Sequence, residues 1–457
     1  MHDCDAIVIG AGLSGLAAAR ELEAGGMDVR VLEARDRVGG RTLNHPVGER
    51  PEDVVEVGGQ WVGPTQHEVM GLIGELGIET YPTHAEGESV FENRNGKLTR
   101  YSGVIPRLSP IVLADYGRAD AKFKRMAKSV DPGAPWEHPD AERLDGQTVD
   151  DWIRRTAKTT TGREALALGI RGVFSVEPAD MSMLHWLFYT ASAGNWDELV
   201  EVEDGAQQDR IVGGSQLISL RMAEGLGDRV ILSSPVRSIR VQDDGVAAGD
   251  LRARRVIVAL PPALAGTLDY EPALPGARAQ LTQRVPMGSV IKCMAVYDEP
   301  FWRGDGLSGI ATSLPGPVQV VFDNTPPNGA PGVLLGFLEG RDARILGPKS
   351  EAERRDAVVG TFTRLFGERA ANPRGYIEKD WSAEPFSRGC YAGVPTPGTW
   401  TAYGHVLREP VGSIHWAGTE TATRWMGYFD GAIQAGRRAA GEVLAAEGSG
   451  RAAPASA

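Results

Sequence analysis

The chain of 457 residues carries 60 acidic against 48 basic side chains, a net charge of −12, and is 42% hydrophobic and 24% charged. That length exceeds one ordinary core and predicts two domains of a globular protein. The acid excess excludes the basic footprint of a nucleic-acid binder and leaves a surface that does not repel a cation. The apolar run AIVIGAGLSGLAAA follows the acidic MHDCD and is broken by glycines, so it is not the core of a signal peptide. No other stretch reaches the roughly 18 apolar residues that a membrane-spanning helix needs.

DAIVIG reads as a buried parallel strand, GLAAARELEAGG as a helix ended by Gly25 and Gly26, and DVRVLEA as a second strand. Between the first strand and the helix lies Gly10-Ala11-Gly12-Leu13-Ser14-Gly15, a GxGxxG turn. In such a βαβ unit Gly10 permits the tight turn, Gly12 lets the backbone approach a pyrophosphate and Gly15 lets the helix pack on the strand. The helix start then offers free N–H groups to the phosphates. Glu33, 18 residues past Gly15, stands where an acid holds ribose hydroxyls and would repel the 2′-phosphate of NADP. The elements therefore predict a dinucleotide site.

The second strand runs into Arg35-Asp36-Arg37-Val38-Gly39-Gly40-Arg41-Thr42, which resembles the RxxRxGGR signature of FAD enzymes of the amine oxidase superfamily. Arg35, Gly40 and Arg41 supply charge and close backbone approach. EVGGQWVGPTQ adds the glycine pair Gly58 and Gly59, followed by Gln60 and Trp61, of a kind that passes beside an isoalloxazine ring.

Farther along, ADAKFKRMAKSV and MLHWLFYTASAG read as helices around a proline-rich break, DPGAPWEHPD. GDRVILSSPVRSIRVQDDG and RARRVIVALPP return to an α/β pattern, and VIKCMAVYDEPFW, VQVVFDN and VLLGFLEG alternate like strands of an antiparallel sheet. ERRDAVVGTFTRLFG is a helix, and the last stretch is strand, glycine-rich turn and long helix. The fold class predicted is α/β, a Rossmann-like FAD-binding domain with an inserted α+β substrate domain. Its segments are 1–85, 210–290 and 388–448 for the cofactor, 86–209 and 291–387 for the substrate, and 449–457 as a disordered tail.

With these blocks in order, the chain is identified as a member of the flavin-containing monoamine oxidase family, related to putrescine oxidase. The stretches that carry the resemblance are GAGLSGLAAARELEAGGMDVRVLEARDRVGGRT, VEVGGQWVGPTQ, GDRVILSSPV, RVPMGSVIKCMAVYDEPFW and GCYAGVPTPGTWTAYGHVLREPVGSIHWAGTETATRWMGYFDGAIQAGRRAA. They cover nearly the whole chain except parts of 85–200 and the tail. The mitochondrial members carry a C-terminal membrane helix, and this chain ends short of one, which implies the soluble bacterial type without a membrane partner. With only three cysteines, none in CxxC spacing, neither a disulfide framework nor a metal site is expected, and a cytoplasmic location fits.

The resemblance implies roles one residue at a time. Cys390 falls where the family joins FAD covalently to a cysteine sulfur. Tyr391 and Tyr428 fall where two tyrosines form an aromatic cage. Lys292 matches a lysine that holds a water at the flavin, and Trp381 a tryptophan packed near it. Val236 matches a residue at the adenine, and Gln207 a glutamine lining the substrate cavity. Thr419, Glu420, Gly427 and Phe429 lie in the last cofactor motif with Tyr428, and a helix start near Asp430 and Gly431 is expected to stabilise negative charge on the reduced flavin ring. From the residues alone a lone cysteine is most often a buried small side chain. Lys292, between apolar Ile291 and Cys293, points by alternation to the opposite face, where burial needs a reason.

The implied reaction takes a small-molecule primary amine, dioxygen and water to aldehyde, ammonia and hydrogen peroxide. The putrescine oxidase branch places an acid where this chain has Val320. With Val318, Val320 and Phe322 all apolar, an aromatic or alkyl monoamine is expected, with a diamine as the alternative. An amino-acid oxidase would need a buried arginine for a carboxylate, and a non-catalytic flavoprotein would not need Lys292 and both tyrosines. Glu201, Glu203 and Asp204 read as a solvated loop rather than an acidic lip. A homodimer is compatible with the sequence.

Overall fold

The computed structural model describes residues 2–103, 106 and 108–451. Two sheets form the main frame of the site. The first is parallel, with strands in the order Val230–Ile231, Val29–Leu32, Ala6–Ile9, Arg255–Val258 and Ile414–Trp416. Its centre, Ala6–Ile9, is buried on both faces, as a strand covered by layers on either side must be. Helices Leu13–Ala24 and Phe429–Arg451 pack together over it, so tightly that a Cβ on Gly436 would lie 2.1 Å from the carbonyl oxygen of Ser14. Helices cover one face of this sheet and a small sheet built on Ser238–Gln242, Gly245–Ala248 and Leu251–Ala253 covers the other, and the parallel strands come from three separated stretches of the chain.

The second sheet has seven strands, in the order Gly375–Asp380, Val290–Tyr297, Gly332–Glu339, Val320–Asp323, Leu307–Ser313, Glu88–Glu92 and Leu98–Tyr101. Its ladders are antiparallel except where Leu307–Ser313 runs parallel to Glu88–Glu92. The alternation read in VIKCMAVY is real, yet both faces of Val290–Tyr297 are covered. Ile291, Cys293, Ala295 and Tyr297 face a core with Phe362 and Trp302, and Val290, Met294 and Val296 face another with Trp381 and Cys390. A helical layer, including Pro110–Ala127, Thr160–Phe174 and Met183–Ala193, closes the molecule around stacked Phe123 and Trp186.

One boundary differs from the sequence reading. The tail expected to start at 449 begins as helix, because Phe429–Arg451 propagates from its packed turns through 449–451. Residues 452–457 lie outside the described residues. No helix among the described residues is long and apolar enough to cross a membrane.

Candidate active site

The glycine-rich turn forms as its sequence demands. A Cβ on Gly15 would lie 1.9 Å from the Gly10 carbonyl oxygen, so only glycine admits that helix–strand approach. Gly10 itself sits at φ +101°. Helix Leu13–Ala24 starts at Gly12 with no side chain capping its first amides. A Cβ on Gly12 would meet nothing nearer than the Gly40 Cα, at 3.9 Å, so two backbones approach here without side chains between them. Glu33 accepts from the amides of Ala11 (2.8 Å) and Arg35 (2.9 Å), which locks the acid against the turn. Open amides, paired glycines and a carboxylate at the strand end suit a dinucleotide's phosphates and ribose. Val236, at the far side of the same sheet, is buried with Leu32 and Ile239.

The arginines are committed to protein partners. Arg35 donates to Ser387 Oγ (2.9 Å) and pairs with Glu384 (3.3 Å), fixing the loop that leads to Cys390. Arg41 pairs with buried Glu420 (2.6 Å) and donates to the Tyr391 carbonyl oxygen (2.9 Å). Glu420 also accepts from the Gly393 amide (3.1 Å). Its neighbour Thr419 donates to the Tyr428 carbonyl oxygen (3.0 Å) and accepts from the Gly427 amide (2.7 Å). The single turn Thr419–Thr421 thus holds both tyrosine segments. Phe429 closes over Gly59, where a Cβ would lie 2.8 Å from its ring, and Gly58 is equally crowded by the Arg41 carbonyl oxygen at 2.2 Å. Asp430 accepts from the Glu68 and Val69 amides, so its carboxylate caps another helix rather than facing the site.

Around this frame the structure gathers Trp61, Phe322, Phe337, Trp381, Cys390 and Tyr391 into one cluster. Trp381 donates to the Val57 carbonyl oxygen (2.8 Å). Trp61 packs on Phe322 with centroids 4.9 Å apart, and Phe337 meets Tyr391 edge-on at 6.0 Å. Lys292 enters from the sheet, only 3% exposed, its Nζ 5.7 Å from the Trp61 ring centroid and 5.8 Å from that of Phe337. It donates to the Gly58 carbonyl oxygen (2.8 Å) and to Gln60 Oε1, and Gln60 donates on to Asn324 (2.8 Å). Burial brings its pKa from 10.5 down to about 7. Burial likewise pushes the Cys390 thiol up to about 12 and holds the Tyr391 and Tyr428 hydroxyls protonated.

Tyr428 belongs to a different wall. It packs against Trp425 (4.9 Å) and Tyr189 (6.0 Å). Among the described residues no ring contact joins it to Tyr391. Gln207 donates to the Leu199 carbonyl oxygen (3.1 Å), while its own Oε1 is buried without a partner, an open acceptor. Val320 shares a strand face with Phe322, and the strand's one carboxylate, Asp323, turns the other way to Trp302 (2.8 Å) and Arg303 (2.7 Å).

Four residues escaped the sequence reading. Asn324 backs Gln60, and Arg210 and Glu56 form a fully buried pair (2.7 Å) whose charges act on Lys292. Glu339 accepts from the Tyr391 hydroxyl (2.8 Å). Its signal was present: in VLLGFLEG it shares the period-2 face of Leu335 and Phe337.

Comparison with known proteins points the same way. The family model for flavin containing amine oxidoreductase matches residues 13–444. AofH of Mycobacterium tuberculosis, which bears the name of a flavin-containing monoamine oxidase, is 45% identical over 445 residues, covering 96% of each chain. A solved putrescine oxidase bound to putrescine superposes with a TM-score of 0.93 at 37% identity, over 97% of this chain and 99% of that one. Cyclohexylamine oxidase from Brevibacterium oxydans superposes with a TM-score of 0.92 at 32% identity, over 98% and 100%.

Proposed function

Since the chain belongs to the flavin-containing amine oxidoreductase family, we propose that it oxidises a primary monoamine with an aromatic or apolar alkyl body. Dioxygen and water are consumed, and aldehyde, ammonia and hydrogen peroxide are formed. FAD, when bound, would supply the two-electron redox chemistry that couples amine oxidation to the reduction of dioxygen. The residues of the glycine-rich turn, Glu33, Val236, and the segments around Gly58 to Trp61, Trp381 and Thr419 to Phe429 would hold it, and Cys390 would tether it.

The amine arrives as a cation and reacts as a neutral base. Trp61, Phe322 and Phe337 make a low-dielectric wall that favours the neutral form. The faces of Tyr391 and Tyr428 guide the nitrogen by their π electrons, and their protonated hydroxyls add no negative charge. Lys292 can gain or lose a proton at Nζ near neutrality, so it holds or moves the proton that the amine sheds. Gln207 Oε1, buried without a partner, accepts an N–H of the amine.

The observation that carries the reading is a buried, neutralisable Lys292 among aromatic walls contiguous with Cys390 and Tyr391. The apolar face of Val320 and Phe322, with Asp323 turned away, favours a monoamine over a diamine. Peroxide release from the flavin-bearing protein tests both points. Turnover of phenethylamine, tyramine, benzylamine or butylamine, with little of putrescine, supports the reading. A preference for putrescine would reject the monoamine assignment, and turnover of L-amino acids alone would reject the amine.

A further inference from the structure

Strand Gly332–Glu339 divides its side chains between two cores. Leu334 and Leu338 face the core of Trp302 and Phe362, and Val333, Leu335 and Phe337 face that of Trp381 and Cys390. Glu339 continues the second face, so a carboxyl ends an apolar stripe that lines the amine site. Its residue is 5% exposed.

The ordinary structural duty of an acid at this position is taken elsewhere. Glu339 is the N-cap residue of helix Gly340–Leu346, but its side chain caps nothing. The Arg341 amide donates instead to Glu177 (2.9 Å). Arg171, an opposite charge that acts on Glu339, is engaged by Gln319 (2.6 Å) and Glu177 (3.3 Å). What Glu339 does bind is the hydroxyl of Tyr391, at 2.8 Å.

We propose that Glu339 is a positioning residue for amine oxidation: it anchors the Tyr391 ring through the hydroxyl, and its protonation state decides whether that wall carries a negative charge. This rests on the reading of Tyr391 as a residue that contacts the amine. The charged and titratable groups around it are Tyr391, Arg171, Glu177 and Asp342. Burial dominates, pushing the carboxyl up to about 8 against the opposing pulls of the Tyr391 hydrogen bond and Arg171. At pH 7 the wall is therefore neutral. Above pH 8 a carboxylate stands behind the ring. It attracts the substrate ammonium and holds it protonated, so the cation binds more tightly while turnover per complex falls.

The test uses the flavin-bearing protein as wild type, E339Q and E339L. One readout is kcat and KM for phenethylamine from pH 6.5 to 10. The other, independent of turnover, is the dissociation constant of benzyltrimethylammonium, a permanent cation, followed by flavin absorbance. Wild type should bind that cation roughly tenfold more tightly at pH 9.5 than at pH 7 beyond any change seen in E339Q. E339Q, near-isosteric and unable to ionise, should lack the corresponding alkaline fall in kcat. Lys292 titrates in all three proteins and so cancels from the comparison. E339L, which accepts no hydrogen bond, should lose about threefold to tenfold in kcat/KM at every pH, and that loss should vanish in a Tyr391→Phe background. Superimposable profiles for wild type and E339Q, or an E339L loss undiminished in that background, would overturn the proposal. Wild type that oxidises no amine would instead overturn the functional reading, and the cation titration would still decide on Glu339.

Discussion

Replacing Lys292 with methionine keeps the length of the side chain and removes its titration. The wild-type amine moves from 10.5 in the unfolded chain to about 7 in the fold. At 1.36 kcal/mol per unit, that is about 5 kcal/mol of bias against the charged form. The native state binds fewer protons than the unfolded chain between pH 7 and 10.5, so wild-type stability rises with pH through that window. Below pH 7 the full bias acts against the fold, and above 10.5 none of it does. Methionine removes this slope. It also leaves the Gly58 carbonyl oxygen and Gln60 Oε1 without their donor, a pH-independent cost of about 1–3 kcal/mol. Equilibrium urea unfolding of both proteins at pH 6, 7.5 and 9 should find the variant more stable at pH 6. That advantage should shrink by about 1.4 kcal/mol per unit above pH 7. A difference that stays constant across the series would refute the argument, because it would mean that Lys292 keeps its proton in the fold. Amine turnover in the variant should be strongly reduced, with flavin retained.

Three further outcomes are expected. Acid precipitation should leave the yellow colour in the wild-type pellet and release it to the supernatant from Cys390→Ala; colour free in both would remove the tether. Val320→Glu sets a carboxylate beside Phe322 and should raise kcat/KM for putrescine about tenfold or more relative to phenethylamine, the worth of one modest charge contact; an unchanged ratio would place Val320 outside the cavity. Gly15→Ala forces a Cβ onto the Gly10 carbonyl oxygen 1.9 Å away, and should cost about 1–3 kcal/mol in stability together with flavin retention; a Tm and flavin content equal to wild type would show that the turn can yield.

What could be read in the sequence was whatever depends on local geometry. Gly10 and Gly12 sit between a strand and a helix three turns long, Gly15 lies in that helix's first turn, and their spacing states the turn directly. Lys292 stood out because one charged residue interrupts an apolar alternation, and the structure buries it. Glu339 obeys the same rule and was passed over, since an acid at the end of a strand looks like a solvated edge. Only the approach of Tyr391, 52 residues farther along, gives it a partner. Arg35 and Arg41 read as cofactor-side charges from their place after the second strand, but that Glu384 and Glu420 reach them from the other end of the chain could not be read there. Long-range pairings of this sort leave no periodic trace.

The parallel sheet has a consequence for how the protein is made. Its central strand, Ala6–Ile9, leaves the ribosome well before its last strand, Ile414–Trp416, and the packed helix Phe429–Arg451. At about 5–20 residues per second, the N-terminal strand and its apolar helix wait on the order of tens of seconds for their neighbours. Until then the apolar face of Leu13–Ala24 lies open to solvent, and the Arg41–Glu420 clasp cannot close. Any ligand site that needs both ends of that clasp is therefore assembled only after Glu420 has emerged.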